Sequence, residues 1–207
     1  MSGIENSQLA IIFDLGGVLI DWDPRHLYKK LFNGDDDKME WFLKNICKSE
    51  WNEQQDAGRP LAEATELLVN AHPEYESLIR AFYGRWIEMV GGAIEPTVEI
   101  MKELKEKGYP VHALSNWSME TFPLVANEYP FLNWFDVRII SGAIGLAKPD
   151  PKIYQHLLTK IDKPASECLF IDDNALNIEA ANKLGFHTIH FRSPEQLRAE
   201  MIKNDIL

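Results

Sequence analysis

The stretch Leu9-Ala10-Ile11-Ile12-Phe13-Asp14-Leu15-Gly16-Gly17-Val18-Leu19-Ile20 decides how the chain is read. Its unbroken apolar opening is the mark of a parallel strand buried on both faces. A carboxylate at the end of such a strand costs stability unless it is paired, hydrogen-bonded or bound to a cation. Asp14 stands at that end with two glycines behind it and no second acid close by, so the reading assigns it a function rather than a place in the core.

Four further short apolar runs resemble the first: PVHALS at 110–115, FDVRIIS at 135–141, ECLFIDD at 167–173 and FHTIHF at 186–191. Helical patterns separate them. Residues 95–108 close on Gly108, residues 151–161 open with Pro151, and residues 175–185 end on Gly185, which are ordinary start and stop signals. Strands alternating with helices predict an α/β fold, a Rossmann-like parallel sheet with helices on both faces. Residues 22–90 break the alternation and offer helical segments only, separated by NGDDD, the polar EQQDAGR and AHP. They read as an inserted all-helical module, with residues 1–21 and 91–207 forming the core and GGAIEP at 91–96 returning the chain to the sheet. The stripe Leu78, Phe82, Trp86 and Met89 has helical spacing and is assigned to the interior of that module.

With 207 residues and a net charge of −11, the chain is unsuited to nucleic acid or an anionic membrane, both of which reward clustered Lys and Arg. Small molecules are the expected partners, and a monomer or weak homo-oligomer the expected state. No apolar run approaches the ~20 residues of a membrane span. The N-terminal MSGIENSQ lacks the basic, apolar and cleavage regions of an export signal, so a cytoplasmic location is expected. Cys47 and Cys168 are far apart and not in metal-binding spacing, and Cys168 within ECLFID reads as a small buried hydrophobe.

Ligands of open parallel sheets sit beyond the carboxyl ends of the strands. Those ends carry Asp14, Ser115-Asn116, Lys148 in the loop GLAKPDP, and Asp172-Asp173. Taken singly, each has a plain alternative as a cap, a turn residue or a solvated lysine. Together they form a coherent site. Asp14 and the acidic pair would repel one another unless a cation lay between them, and their hard oxygens suit Mg²⁺. Glycines after Asp14 free backbone amides for an anion, while Ser115 and Lys148 bring a hydroxyl donor and a positive charge. The set fits phosphoryl transfer with Asp14 as the nucleophile.

The motifs FDLGGVL (13–19), LSN (114–116), AKPDPKIY (147–154) and FIDDNALN (170–177) resemble, in order, the four motifs of the haloacid dehalogenase-like hydrolase superfamily. The resemblance implies a Rossmann-like core with a helical cap of the subclass I type, placed directly after the first motif. It implies Mg²⁺ held by Asp14, the Gly16 carbonyl, Asp172 and Asp173, a phosphate held by Ser115 and Lys148, and substrate contact by Asn116. The DLGGV form resembles that of sugar-phosphate phosphatases, one of which acts on glucose 1-phosphate, so a hexose 1-phosphate is an expected type of substrate.

One departure stands out. Phosphatases of the superfamily usually carry a second Asp two residues after the nucleophile, as general acid and base, and here that position is Gly16. The loss implies a slow enzyme, a good leaving group or an acid from elsewhere; Asp21 and Asp23 read as turn and capping residues. Dehalogenases of the superfamily also lack the second Asp, but their fourth motif resembles SSN, whereas IDDN favours a metal-dependent phosphatase. Two alternatives stay open: 2-haloacid dehalogenation through Asp14, and a catalytically weak phosphometabolite-binding protein. Capped members place a substrate-contacting loop where WNEQQDAGR (51–59) falls, so Glu53, Gln54, Gln55 and Arg59 are candidates for substrate binding. Trp22 and Trp117 are read either as lining the entrance or as packing.

Overall fold

A computed structural model of the chain describes residues 9–207; the N-terminal octet on which the export reading rested lies outside the described residues. Five parallel strands form one sheet in the order β5-β4-β1-β6-β7, with β1 at its centre. They are β1 (Ala10–Phe13), β4 (Val111–Ser115), β5 (Val137–Ile140), β6 (Cys168–Asp172) and β7 (His187–His190). Side chains of β1 alternate between two cores. Ile11 and Phe13 join Val111, Ile171 and Met101 on one face, while Ala10 and Ile12 join Leu114, Phe170 and Tyr154 on the other. This two-sided burial is why the run carries no polar residue before Asp14, each fully buried aliphatic side chain contributing roughly 1.5–3 kcal/mol.

The helices divide accordingly. Helices α6 (Glu95–Glu106), α7 (Phe122–Ala126) and α11 (Pro194–Lys203) cover the first face, and α9 (Pro151–Ile161) and α10 (Ala175–Lys183) the second. Gly108 and Gly185, expected as stop signals, take φ of 86° and 91°, left-handed values that glycine adopts without strain. A one-turn helix α8 (Ser141–Ile144) follows β5.

Five helices lie between β1 and α6: α1 (Arg25–Leu31), α2 (Asp36–Asn45), α3 (Ser49–Asp56), α4 (Leu61–Ala71) and α5 (Glu76–Gly84). The segment is bracketed by β2 (Ile20–Trp22) and β3 (Val90–Ala93), an antiparallel ribbon with Asp21 opposite Gly92. Its interior gathers aromatic rings, Tyr28 and Phe42 at 5.1 Å among them, and the Tyr28 hydroxyl donates to the Leu78 carbonyl at 2.8 Å. Asp35 of the acidic run caps α2 by accepting from the Lys38 amide.

Three expectations are corrected. The polar stretch 51–59 is not a loop between helices, because most of it belongs to α3. The segment expected to run as one helix to Met89 stops at Gly84 and continues as a 3₁₀ turn over Trp86–Met89, glycine being a poor helix former. Residues read as a plain return to the sheet contain β3. Among the described residues no helix is long and apolar enough to cross a membrane.

Candidate active site

The carboxyl ends of β1, β4 and β6 meet at one point. Asp14 follows β1, its amide donating to the Ile171 carbonyl at 2.9 Å, and its Oδ1 accepts from the Leu15 amide at 2.7 Å. Lys148 Nζ lies 2.9 Å from Asp14 Oδ2 and 2.6 Å from Asp172 Oδ2. The lysine and both acids are buried, a combination that is tolerated only because the charges are paired. Burial pushes the Asp14 carboxyl up to about 7, the neighbouring Asp172 and Asp173 push the same way, and Lys148 pulls against them. Burial also works against the Lys148 charge, but Asp14 and Asp172 outweigh it and hold its pKa above the ordinary lysine value.

A second ring of residues fixes this first one. Asn116 spends both ends of its amide on the Lys148 backbone, donating to its carbonyl and accepting from its N–H, each at 2.8 Å. It therefore orients the lysine, and Asn116 itself also lines both spaces described below, where the expected substrate contact would be made. Asn177, one turn into α10, donates to both carboxylate oxygens of Asp172 at 3.1 Å, and the Asn174 amide donates to Oδ1 at 2.8 Å. Ser115 closes β4 and is buried, two residues past Ala113, the partner of Phe13.

Asp14, Asp172 and Asp173 each present an oxygen within 4.8 Å of the others, a hard-oxygen set of the kind that Mg²⁺ takes. Burial, followed by the charge of Asp172, raises the Asp173 carboxyl above its ordinary pKa. Gly17 shows that the cluster is shaped. It has φ of 71°, and a Cβ on it would lie 2.3 Å from Asp173 Oδ2. Replacing Gly17 by Ala displaces that carboxylate and strains the backbone. The expected result is a loss of about 10–100-fold in Mg²⁺ affinity, read by calorimetric titration of the folded variant; unchanged affinity would remove Asp173 from the ion's ligands.

Two connected spaces open above the cluster. The outer one, about 380 Å³, is bordered by Asp14, Lys148 and Asp173 on the sheet side and by Arg25, Lys48 and Glu53 from the helical segment. The inner one, about 60 Å³, is lined by Gly16, Trp22, Asn52, Asp56, Trp86 and Trp117 among others. Of the expected binding residues on 51–59, only Glu53 borders either space. Gln55 is buried and donates to the Tyr83 hydroxyl at 2.9 Å. Arg59 donates to Gln55 Oε1 at 2.8 Å, and Gln54 folds back on the Glu50 carbonyl. Asn52 and Asp56, one helical turn apart on α3 and facing the cavity, were not expected from the sequence. Trp22 and Trp117 combine both proposed roles, since they line the inner space while Trp117 also packs on Trp86 at 5.7 Å.

Similarity to known proteins accords with this geometry. Residues 9–185 match the family described as haloacid dehalogenase-like hydrolase. Acyl-CoA dehydrogenase family member 10 of Mus musculus is 29% identical over 214 residues, 94% of this chain, which spans only 19% of that protein. A sesquiterpene phosphatase of Aspergillus oryzae is 28% identical over 184 residues, covering 87% of this chain and 88% of its own. The crystal structure of a family enzyme from Bacteroides thetaiotaomicron, solved with magnesium and inorganic phosphate, shares the fold at a TM-score of 0.65 and 23% identity, over 89% of this chain and 94% of that one. With the match running from β1 to the end of α10 and so through all four strand-end groups, the chain belongs to the haloacid dehalogenase-like hydrolases.

Proposed function

We propose that the protein is a Mg²⁺-dependent phosphomonoesterase acting on a small phosphorylated metabolite, with sugar phosphates such as a hexose 1-phosphate as its substrate class. The observation that carries this reading is the buried Asp14–Lys148–Asp172 constellation with Asp173 beside it. Asp14, oriented by the Leu15 amide, attacks phosphorus and forms an aspartyl-phosphate that water then cleaves. Lys148 and Ser115 hold the phosphate oxygens, and Asn116 and Asn177 keep the lysine and Asp172 in place. A magnesium ion held by Asp14, Asp172, Asp173 and the Gly16 carbonyl would neutralise charge on the transferring group. The helical segment 22–90 acts as a cap that excludes bulk water. The faces of Trp22, Trp86 and Trp117 with Asn52 and Asp56 suit a ring bearing hydroxyl groups. Carbon–halogen hydrolysis through Asp14 would leave the Asp172–Asp173 pair without a purpose.

The test is phosphate release from a panel of sugar phosphates and p-nitrophenyl phosphate, with Mg²⁺ and with chelator, beside 2-haloacids. Magnesium-dependent release and inert haloacids are expected. Halide release that survives chelation, or no phosphate from any ester, would overturn the proposal.

A further inference from the structure

An unactivated phosphate ester needs a proton on its leaving oxygen, and cleavage of an aspartyl-phosphate needs one taken from water. Of the groups around Asp14, Lys148 is tied between Asp14 and Asp172, Asp172 is engaged by Lys148, Asn174 and Asn177, Asp173 belongs to the candidate metal set, and Glu53 of the outer space is exposed and does not line the inner one. The acids next along the chain are also engaged, Asp21 with His26 and Asp23 with Arg25. Position 16 offers no side chain, and a Cβ built there meets nothing within 4 Å. That open space belongs to the inner cavity, and Asp56 is the one ionisable side chain among the described residues lining it.

We propose that Asp56, delivered by α3 into the cavity left open at Gly16, is the general acid and base of the reaction; this rests on the phosphatase reading. Its carboxyl is held by hydrogen bonds. Oδ1 accepts from the Ser118 amide at 3.1 Å and Oδ2 from Asn52 Nδ2 at 2.8 Å, and the residue's carbonyl accepts from the Ser141 hydroxyl. Among the described residues no cation pairs with it. Burial pushes it up to about 7, with the Ser118 amide pulling down and Glu53 of the same helix pushing up. Tyr83 of α5 faces it beside Asn52, and Asp14, Lys148 and Asp173 share the outer space with it. An acid poised near neutral pH is suited to both proton transfers. As Asp14 bonds to phosphorus, the ester P–O bond breaks and its oxygen takes the Asp56 proton. The Asp56 carboxylate then removes a proton from the water that attacks phosphorus, the bond to Asp14 breaks, phosphate leaves, and both residues are restored.

The experiment compares Asp56→Asn with wild type by rapid quench, using the best sugar phosphate of the panel and p-nitrophenyl phosphate, whose leaving group needs no proton. In the variant, phosphoenzyme formation from the sugar phosphate should fall by about 10²–10⁴-fold. A burst of one p-nitrophenolate per site should survive within a few-fold, followed by slow turnover as aspartyl-phosphate accumulates. Ser141→Ala, which loosens α3 and spares the carboxyl, should affect both substrates equally. In wild type, the ratio of the phosphoenzyme-formation rates from sugar phosphate and aryl phosphate should fall about tenfold per pH unit above 7, because titrations common to both substrates cancel in the ratio. A flat ratio, equal loss of phosphoenzyme formation from both esters, or wild-type activity confined to the aryl ester would overturn the role of Asp56 and leave the phosphatase reading standing. No release from any ester by wild type would instead remove the phosphatase reading itself.

Discussion

Replacement of Asp14 by Asn is expected to cut turnover by at least about 10⁴-fold, while leaving a folded protein that outlasts wild type at high pH in chelator. The kinetic half follows from the proposed role of Asp14 as nucleophile, since an amide cannot form the acyl phosphate. The stability half follows from burial. Asp14 has an ordinary pKa of 3.8 and is pushed to about 7 in the folded protein, chiefly by desolvation. Between those values the folded state holds a proton that the unfolded state has lost, so wild-type stability falls as pH rises from 3.8 through about 7. Asn does not titrate, its carbonyl can still accept from the Leu15 amide, and Lys148 keeps Asp172 as a partner. Melting temperatures at pH 5 and pH 8 in chelator are the measurement. The advantage of Asp14→Asn over wild type should be larger at pH 8. An equal difference at the two values would mean that the Asp14 charge is not strained by burial, and residual turnover above about one part in 10⁴ would remove it as the nucleophile.

The sheet and the four strand-end groups were legible in the sequence for one physical reason. A strand buried on both faces has no room for polar residues, so a polar residue at its end is conspicuous and marks the crevice where ligands bind. The ribbon of β2 and β3 has no such contrast, because IDW is too short for a pattern and VGGA holds two glycines. Helix α3, SEWNEQQD, is polar around most of its circumference and reads as a solvated loop. Its stability is tertiary: Gln55 is buried on Tyr83, and Asp56 is fastened to Ser118 and Ser141 of the core. Asp56 therefore looked like any surface acid until the chain brought it to the cavity that Gly16 also lines. Asn177 was visible within FIDDNALN, but its hold on Asp172 depends on α10 turning its side chain back to the strand end. Contacts made by folding back over such distances leave no periodicity to read.

Lys148→Met tests what that buried cation does for the fold as well as for the chemistry. Methionine keeps most of the volume and removes the charge that lies 2.9 Å from Asp14 and 2.6 Å from Asp172. Breaking a buried pair from one side leaves uncompensated charge and costs roughly 3–5 kcal/mol, a large part of the ~5–15 kcal/mol that holds a domain together. The cost is pH-dependent. Lys148 is the strongest influence holding the Asp14 pKa down, so without it the folded pKa moves higher still. The window in which rising pH removes stability then extends from 3.8 to beyond about 7. Urea midpoints measured in chelator should therefore fall further below wild type at pH 8 than at pH 5.5. Added Mg²⁺ should recover part of the stability by supplying another cation to the same carboxylates, yet phosphate release should stay down by about 10²–10³-fold because the proposed donor to the phosphate oxygens is gone. If Mg²⁺ restored turnover together with stability, Lys148 would be a structural counter-charge only; if the midpoint shift were the same at both pH values, the buried carboxylates would not be carrying charge that the lysine balances.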